Sequence, residues 1–177
     1  MKVLGLLRHA KSDWDDASAR DFDRGLNARG RRGAALIGKH IAEQGIAWGA
    51  VIASPAERVK LTLAASGLPL APQFDDRAYL ADAATLMDLL RAVDGDPASV
   101  LLVGHNPGLH ELLFQLVDPE HETALFAEAV EKFPTASFAV LELAIDQWAD
   151  IAPACGQLVH FARPRDLDPK LGPERVR

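Results

Sequence analysis

Short apolar runs alternate along the chain with stretches in which apolar residues recur every three or four positions. That pattern predicts an α/β fold built on a largely parallel sheet. Lys2–Leu7 (KVLGLL) and Ala50–Ala53 (AVIA) read as buried strands. Ser99–Gly104 (SVLLVG) is the clearest strand, because a near-continuous apolar run implies cover on both faces of the sheet. Ala136–Leu143 (ASFAVLEL) is predicted as a fourth strand and Gln157–Phe161 as a fifth, at an edge.

Between the strands lie helices with readable ends. Asn27 is placed to cap a helix running to about Gln44, with Leu36, Ile37 and Ile41 on one face and Gly45 as its stop. Ser54-Pro55-Ala56-Glu57 has the form of a capping box with proline at the first helical position. Asp82 precedes Leu86, Met87, Leu90 and Val93, which repeat at helical spacing and end at Asp94-Gly95. Asn106-Pro107 opens a further helix through Leu109, Leu112, Leu113 and Leu116. Two stretches lack periodicity. Lys11–Gly25 is long for a structureless connection and is a candidate functional loop. Pro164–Arg177 is expected to be a polar C-terminal tail, in which Arg165, Lys170, Arg175 and Arg177, with Arg163 just before it, are solvated.

Length and charge narrow the function classes. The 177 residues suit a single domain spanning the whole chain, large enough to fold without a disulfide or metal. With 19 Lys and Arg against 25 Asp and Glu, the net charge of −6 gives no reason to coat nucleic acid or an anionic membrane. Aromatic residues at 6% are too few for a stacking platform on single strands. The one cysteine, Cys155, cannot form an intramolecular disulfide, so a reduced compartment is expected. The apolar start stops at Arg8-His9, too early for a signal-peptide core, and no later run approaches the roughly eighteen residues of a membrane span. A cytoplasmic monomer is expected.

The candidate chemistry lies where strands end. In open α/β sheets ligands bind beyond the carboxyl ends of the strands. Lys2–Leu7 runs into Arg8-His9, Ala50–Ala53 into Ser54 and a helix carrying Arg58, and Ser99–Gly104 into His105-Asn106-Pro107-Gly108. If the three strands are neighbours, two arginines, two histidines and two helix starts face one crevice. Helix starts and guanidinium forks both suit a phosphate or carboxylate. His105 and His110 are five apart, not the four of a zinc-binding helix face, and His40, His121 and His160 read as surface or helix-face residues. Trp14, in the long loop, either covers a substrate or anchors the loop.

At these positions the chain resembles the histidine phosphatase superfamily. Arg8-His9-Ala10 is similar to its Arg-His-Gly/Ala signature, and Ser54-Pro55-Ala56-Glu57-Arg58-Val59-Lys60-Leu61-Thr62 to its S-P-x-x-R-x-x-x-T element. Gly104-His105-Asn106 is similar to its second-histidine element, and the Arg-His-Ala-Lys-Ser opening looks most like the SixA-type phosphohistidine phosphatases.

The resemblance implies a phosphoglycerate mutase-like fold, a three-layer sandwich whose mostly parallel sheet is flanked by helices. It implies His9 as nucleophile, with Arg8, Arg58 and His105 holding the phosphoryl oxygens and Ser12 and Asn106 as further substrate contacts. No metal or organic cofactor is called for. The implied substrate is phosphohistidine on a partner protein, in a signal-transduction setting. The alternatives are a small phosphoester, or a binding module for phosphate or phosphoprotein without turnover.

One departure stands out. Many superfamily members carry an aspartate after the second histidine or a glutamate in a later loop as general acid. Here that residue is Asn106, and Arg77–Asp82 (RAYLAD) has no glutamate. Glu57 is expected to be occupied by its capping box. Asp13, Asp15 and Asp16 could reach the site from the long loop, and their spacing selects none of them.

Overall fold

The run Lys2–Arg8 forms β1, near the middle of a six-stranded sheet. The computed structural model describes residues 1–172. The other strands are β2 (Ala50–Ala53), β3 (Gln73–Phe74), β4 (Ser99–Gly104), β5 (Phe138–Leu143) and β6 (Gly156–Ala162), in the order β3-β2-β4-β1-β5-β6. The strands from β3 to β1 pair in parallel, whereas β5 runs antiparallel to β1 and β6 antiparallel to β5. The sheet is therefore mixed, with its parallel part at the candidate site and the foreseen edge strand, β6, at one end. β3 was not foreseen. It is two exposed residues long, too short to leave an apolar run.

Alternation along β1 and β4 explains the layers. Leu4, Leu6, Val100 and Leu102 face one core, and Leu7, Leu101 and Val103 face the other. The first core is closed by α3 (Ala83–Arg91), α4 (Gly108–Leu116) and α5 (Ala124–Glu131) through Leu86, Leu90, Leu109, Leu113 and Phe126. The second is closed by α1 (Ala28–Glu43) and α2 (Glu57–Ser66) through Ile37, Ile41 and Val59. A sheet buried on both faces by helices is the three-layer arrangement. The two helices of the second core approach closely because Gly38 has no side chain: a Cβ there would stand 2.1 Å from the Ser66 carbonyl oxygen.

Asn27 and Asp82 cap α1 and α3 as expected, accepting from the backbone N–H groups of Gly30 and Thr85. The unforeseen α5 has the same device, with Thr123 accepting from Phe126. The capping box at Ser54 does not form. α2 begins at Glu57 with Ala56 as its cap residue, and no side chain closes that cap. Ser54 is still extended there, its N–H bonded to the Val103 carbonyl, so its hydroxyl serves the site instead and Glu57 is exposed. Pro107 likewise stands one position before the first helical residue of α4.

The expected tail is folded as far as it is described. Pro164–Leu167 make a short helix, α6, and Pro169–Leu171 a 3-10 turn. Arg29 of α1 donates to the carbonyls of Lys170 and Gly172 at 3.1 and 2.7 Å. Arg163 is ion-paired with Glu128 and Asp166 rather than solvated. Arg175 and Arg177 lie outside the described residues. No described helix is long and apolar enough to cross a membrane.

Candidate active site

Since β2, β4 and β1 are adjacent, the residues after them emerge side by side. Pairing continues one step beyond the strands, with His9 N–H donating to Gly104 and Ser54 N–H to Val103, both at 3.0 Å. These bonds fix where the chain turns into the pocket. The cavity measures about 600 Å³, and Arg8, His9, Ser12, Arg58, His105 and Asn106 all line it. All six residues expected from the sequence are thus brought together.

The His9 ring is oriented by its own neighbourhood. Nδ1 lies 2.7 Å from the Ala10 carbonyl oxygen. A carbonyl only accepts, so Nδ1 carries the proton and Nε2 keeps its lone pair. Burial lowers the His9 pKa to about 4, opposed by the Ala10 hydrogen bond and helped by the charges of Arg8 and Arg58. The ring is neutral at pH 7. The Ala10 backbone is held in turn, its N–H donating to the Thr62 hydroxyl at 2.9 Å while that hydroxyl donates to the Arg58 carbonyl.

His105 sits beside it, ring centroids 5.2 Å apart. Its Nδ1 lies 3.2 Å from Arg58 Nη2, and its Nε2 lies 2.7 Å from the Ser54 hydroxyl. Guanidinium has only donors, so Nδ1 accepts and Nε2–H donates to Ser54. Burial first, then His9 and Arg58, push its pKa down to about 3. Both histidines are therefore neutral, with opposite tautomers.

The two arginines are held differently. Arg58 is buried, donating to the Asp21 backbone carbonyl at 2.7 Å and to its carboxylate at 3.0 Å. Arg8 donates from Nη1 to the Phe133 carbonyl at 3.1 Å, which also accepts from Asn106 Nδ2 at 2.9 Å. Arg8 Nε and Asn106 Oδ1 are buried and have no partner among the described residues. A buried guanidinium N–H left open beside a neutral histidine is a donor in want of an anion. The segment that supplies Phe133 folds back at Ala136, whose φ of 58° is unusual for a residue with a side chain and whose N–H donates to the His9 carbonyl.

The acidic residue at the pocket is Asp21, not Asp13, Asp15 or Asp16. Asp13 accepts from Asp15 N–H, and Asp16 accepts from the N–H and hydroxyl of Ser18; these are loop turns and none of the three aspartates lines the pocket. Asp21 accepts from both Tyr79 and Arg58, which together hold its carboxyl below the ordinary range. The Tyr79 ring stands edge-on to that of His105, centroids 5.5 Å apart. Both were missed: nothing local distinguishes Asp21 among the aspartates of its loop, and the chain's single tyrosine was the one available signal for Tyr79. Trp14 is 67% exposed at the pocket's edge, under the Arg24 guanidinium at 4.0 Å. Among the described residues no group of three or more His, Cys, Asp or Glu side chains is placed to hold a metal ion.

Comparison with known proteins agrees with this geometry. The family model of the histidine phosphatase superfamily (branch 1) matches residues 4–83. An uncharacterized protein of Mycobacterium tuberculosis is 38% identical over 160 residues, spanning 90% of this chain and 100% of the relative. Two solved structures named "putative phosphohistidine phosphatase SixA" share the fold. The one from Nakamurella multipartitia is 29% identical, with a TM-score of 0.79 over 92% of this chain and 96% of the other. That from Agrobacterium tumefaciens is 30% identical, with a TM-score of 0.76 over 92% and 98%. With arginine and histidine after β1, arginine in α2 and a second histidine after β4 in one pocket, the chain belongs to the histidine phosphatase superfamily and is SixA-like within it.

Proposed function

We propose that the protein is a phosphohistidine phosphatase, acting on phosphohistidine of a partner protein in the cytoplasm through a covalent intermediate on His9. In this reading the Nε2 lone pair attacks phosphorus, an N–P bond forms, and the bond to the leaving group breaks. Water then attacks the phosphorylated His9, releasing phosphate and restoring the neutral ring. Arg8 and Arg58 carry the charge of the phosphoryl oxygens, where fixed donors act without reorganisation. His105, whose Nδ1 meets Arg58, contributes a donor once the charge of the incoming dianion raises its proton affinity and it takes up a proton from solvent. Ser12 and Asn106 border the phosphoryl position.

The observation that carries the leaving-group preference is the state of Asp21. This carboxylate lines the pocket, yet Tyr79 and Arg58 keep it ionised. An alkoxide leaving group resembles hydroxide, whose conjugate acid has a pKa of ~15.7, and must be protonated as it leaves. A phosphohistidine leaving group takes its proton from solvent near neutral pH and departs as neutral imidazole. A site whose carboxylate stays ionised therefore favours P–N over unactivated P–O bonds.

The test is a side-by-side measurement of kcat/KM for a phosphohistidine protein, an aryl phosphate and a sugar phosphate. The expected order is P–N first, aryl second and sugar last. A sugar phosphate as best substrate overturns the reading, and binding of phosphate without turnover of any of the three makes the chain a binding module.

A further inference from the structure

The pocket is larger than a phosphoryl group. Five heavy atoms, at the roughly 30 Å³ that liquid water takes per molecule, fill on the order of 150 Å³. The cavity holds about 600 Å³. Beyond the strand ends its wall comes from the first turns of α1, from the segment around Lys132–Ala136, and from residues 163–165 with 171–172.

The charge of that wall is one-sided. Seven lining side chains are cationic and one, Asp21, is acidic, in a chain whose net charge is −6. Arg58 is matched by Asp21, and Arg163 by Glu128 and Asp166. Lys11, Lys132 and Arg165 make no side-chain hydrogen bond or ion pair among the described residues. They come from three separate segments, so no local run of basic residues accounts for their meeting. Their placement is built by the fold. A Cβ at Gly30 would stand 2.1 Å from the Lys11 carbonyl oxygen, so glycine there lets the Lys11 backbone lie against α1. Arg29 ties the Lys170 and Gly172 carbonyls to the same helix, which holds the segment carrying Arg165 over the cavity.

We propose that this part of the pocket is a second anion subsite, and that the substrate carries a carboxylate or a second phosphate beside its phosphoryl group, seated among Lys11, Lys132 and Arg165. The inference rests on the phosphatase reading only for the identity of the first group. Cations that line one cavity without a bonded partner repel one another, and an anion on the ligand relieves that repulsion while being selected by it. The second anion is either the other acidic group of a small metabolite or an acidic side chain next to the phosphorylated residue of a partner protein.

Calorimetric binding to the full chain tests this without turnover. Methylphosphonate probes the first subsite alone, and 1,3-propanebisphosphonate offers a second anion. The bisphosphonate is expected to bind about tenfold tighter or more, the order that one or two charge-assisted contacts supply. In the Lys132→Ala/Arg165→Ala double variant the ratio of the two affinities should collapse toward the statistical factor of about two that two equivalent ends provide. Equal affinities in the unmodified protein, or a parallel weakening of both ligands in the variant, overturn the subsite.

A pair of peptides bearing a non-hydrolysable phosphohistidine mimic, one with acidic and one with neutral neighbours, separates the two sources. An advantage for the acidic peptide assigns the anion to a partner protein, and an advantage for the bisphosphonate alone assigns it to a small molecule. A protein that shows the bisphosphonate advantage but hydrolyses nothing would retain the subsite and lose the phosphatase reading.

Discussion

The Nδ1 atom of His9 lies 2.7 Å from the carbonyl oxygen of Ala10, and this contact decides which ring nitrogen is free to react. Because the carbonyl needs the proton, the lone pair is left on Nε2, and burial keeps the ring neutral to a pH of about 4. As the proposed nucleophile, His9 needs no separate base to expose this lone pair.

Titration of the two imidazoles by NMR should give midpoints well below the ordinary 6.5, at about 4 for His9 and about 3 for His105. The unfolded chain then binds protons first as pH falls, so these histidines cost stability progressively from about pH 6.5 down to their folded pKa values. Urea unfolding across that range should show a falling free energy. A His9 midpoint near 6.5 would refute the burial argument.

Asp21→Asn should lower kcat/KM by about ten- to a hundredfold, the effect of losing a hydrogen bond between charged groups. The loss should be the same for phosphohistidine and for aryl and sugar phosphates if, as proposed, the carboxylate bonded to Arg58 transfers no proton. A loss confined to the sugar phosphate would make Asp21 a general acid. The His9 pKa should also fall in this variant, because the Asp21 charge raises it.

Arg58→Ala should cost about 2.7–4 kcal/mol in kcat/KM, the range for removing one preorganised donor. Arg8→Ala should cost a similar amount. Aryl phosphate kinetics on both variants check this, and an Arg58→Lys variant that restores full activity would show that charge alone suffices.

Gly30→Ala should destabilise the fold by about 1–3 kcal/mol through overpacking. The added Cβ would meet the Lys11 carbonyl oxygen, a backbone atom with no rotamer to yield. Chemical unfolding of the variant measures it, and unchanged stability would mean that the 11–25 loop moves freely over α1.

Much of this was legible in the sequence because the candidate site sits at strand ends, where a buried apolar run stops and a polar residue must follow. Arg8, His9, Arg58 and His105 could be read that way, as could the two covered faces of β4. What escaped depends on contacts distant in sequence. Asp21 is chosen by Arg58, 37 residues away, and by Tyr79, 58 residues away. Ser54 had the form of a helix cap, but the competing demand of His105 Nε2 took its hydroxyl. The C-terminal segment has no apolar period, yet Arg29 and the α1 surface at Gly33 hold it in place.

The central claim is a phosphoryl group carried on His9, and rapid quenching of a reaction with labelled phosphohistidine protein, followed by peptide mapping, tests it directly. Label should appear on the peptide containing His9, labile in acid and stable in base, and His9→Ala should yield neither label nor turnover. Full turnover by His9→Ala, or label on any other residue, would contradict the account.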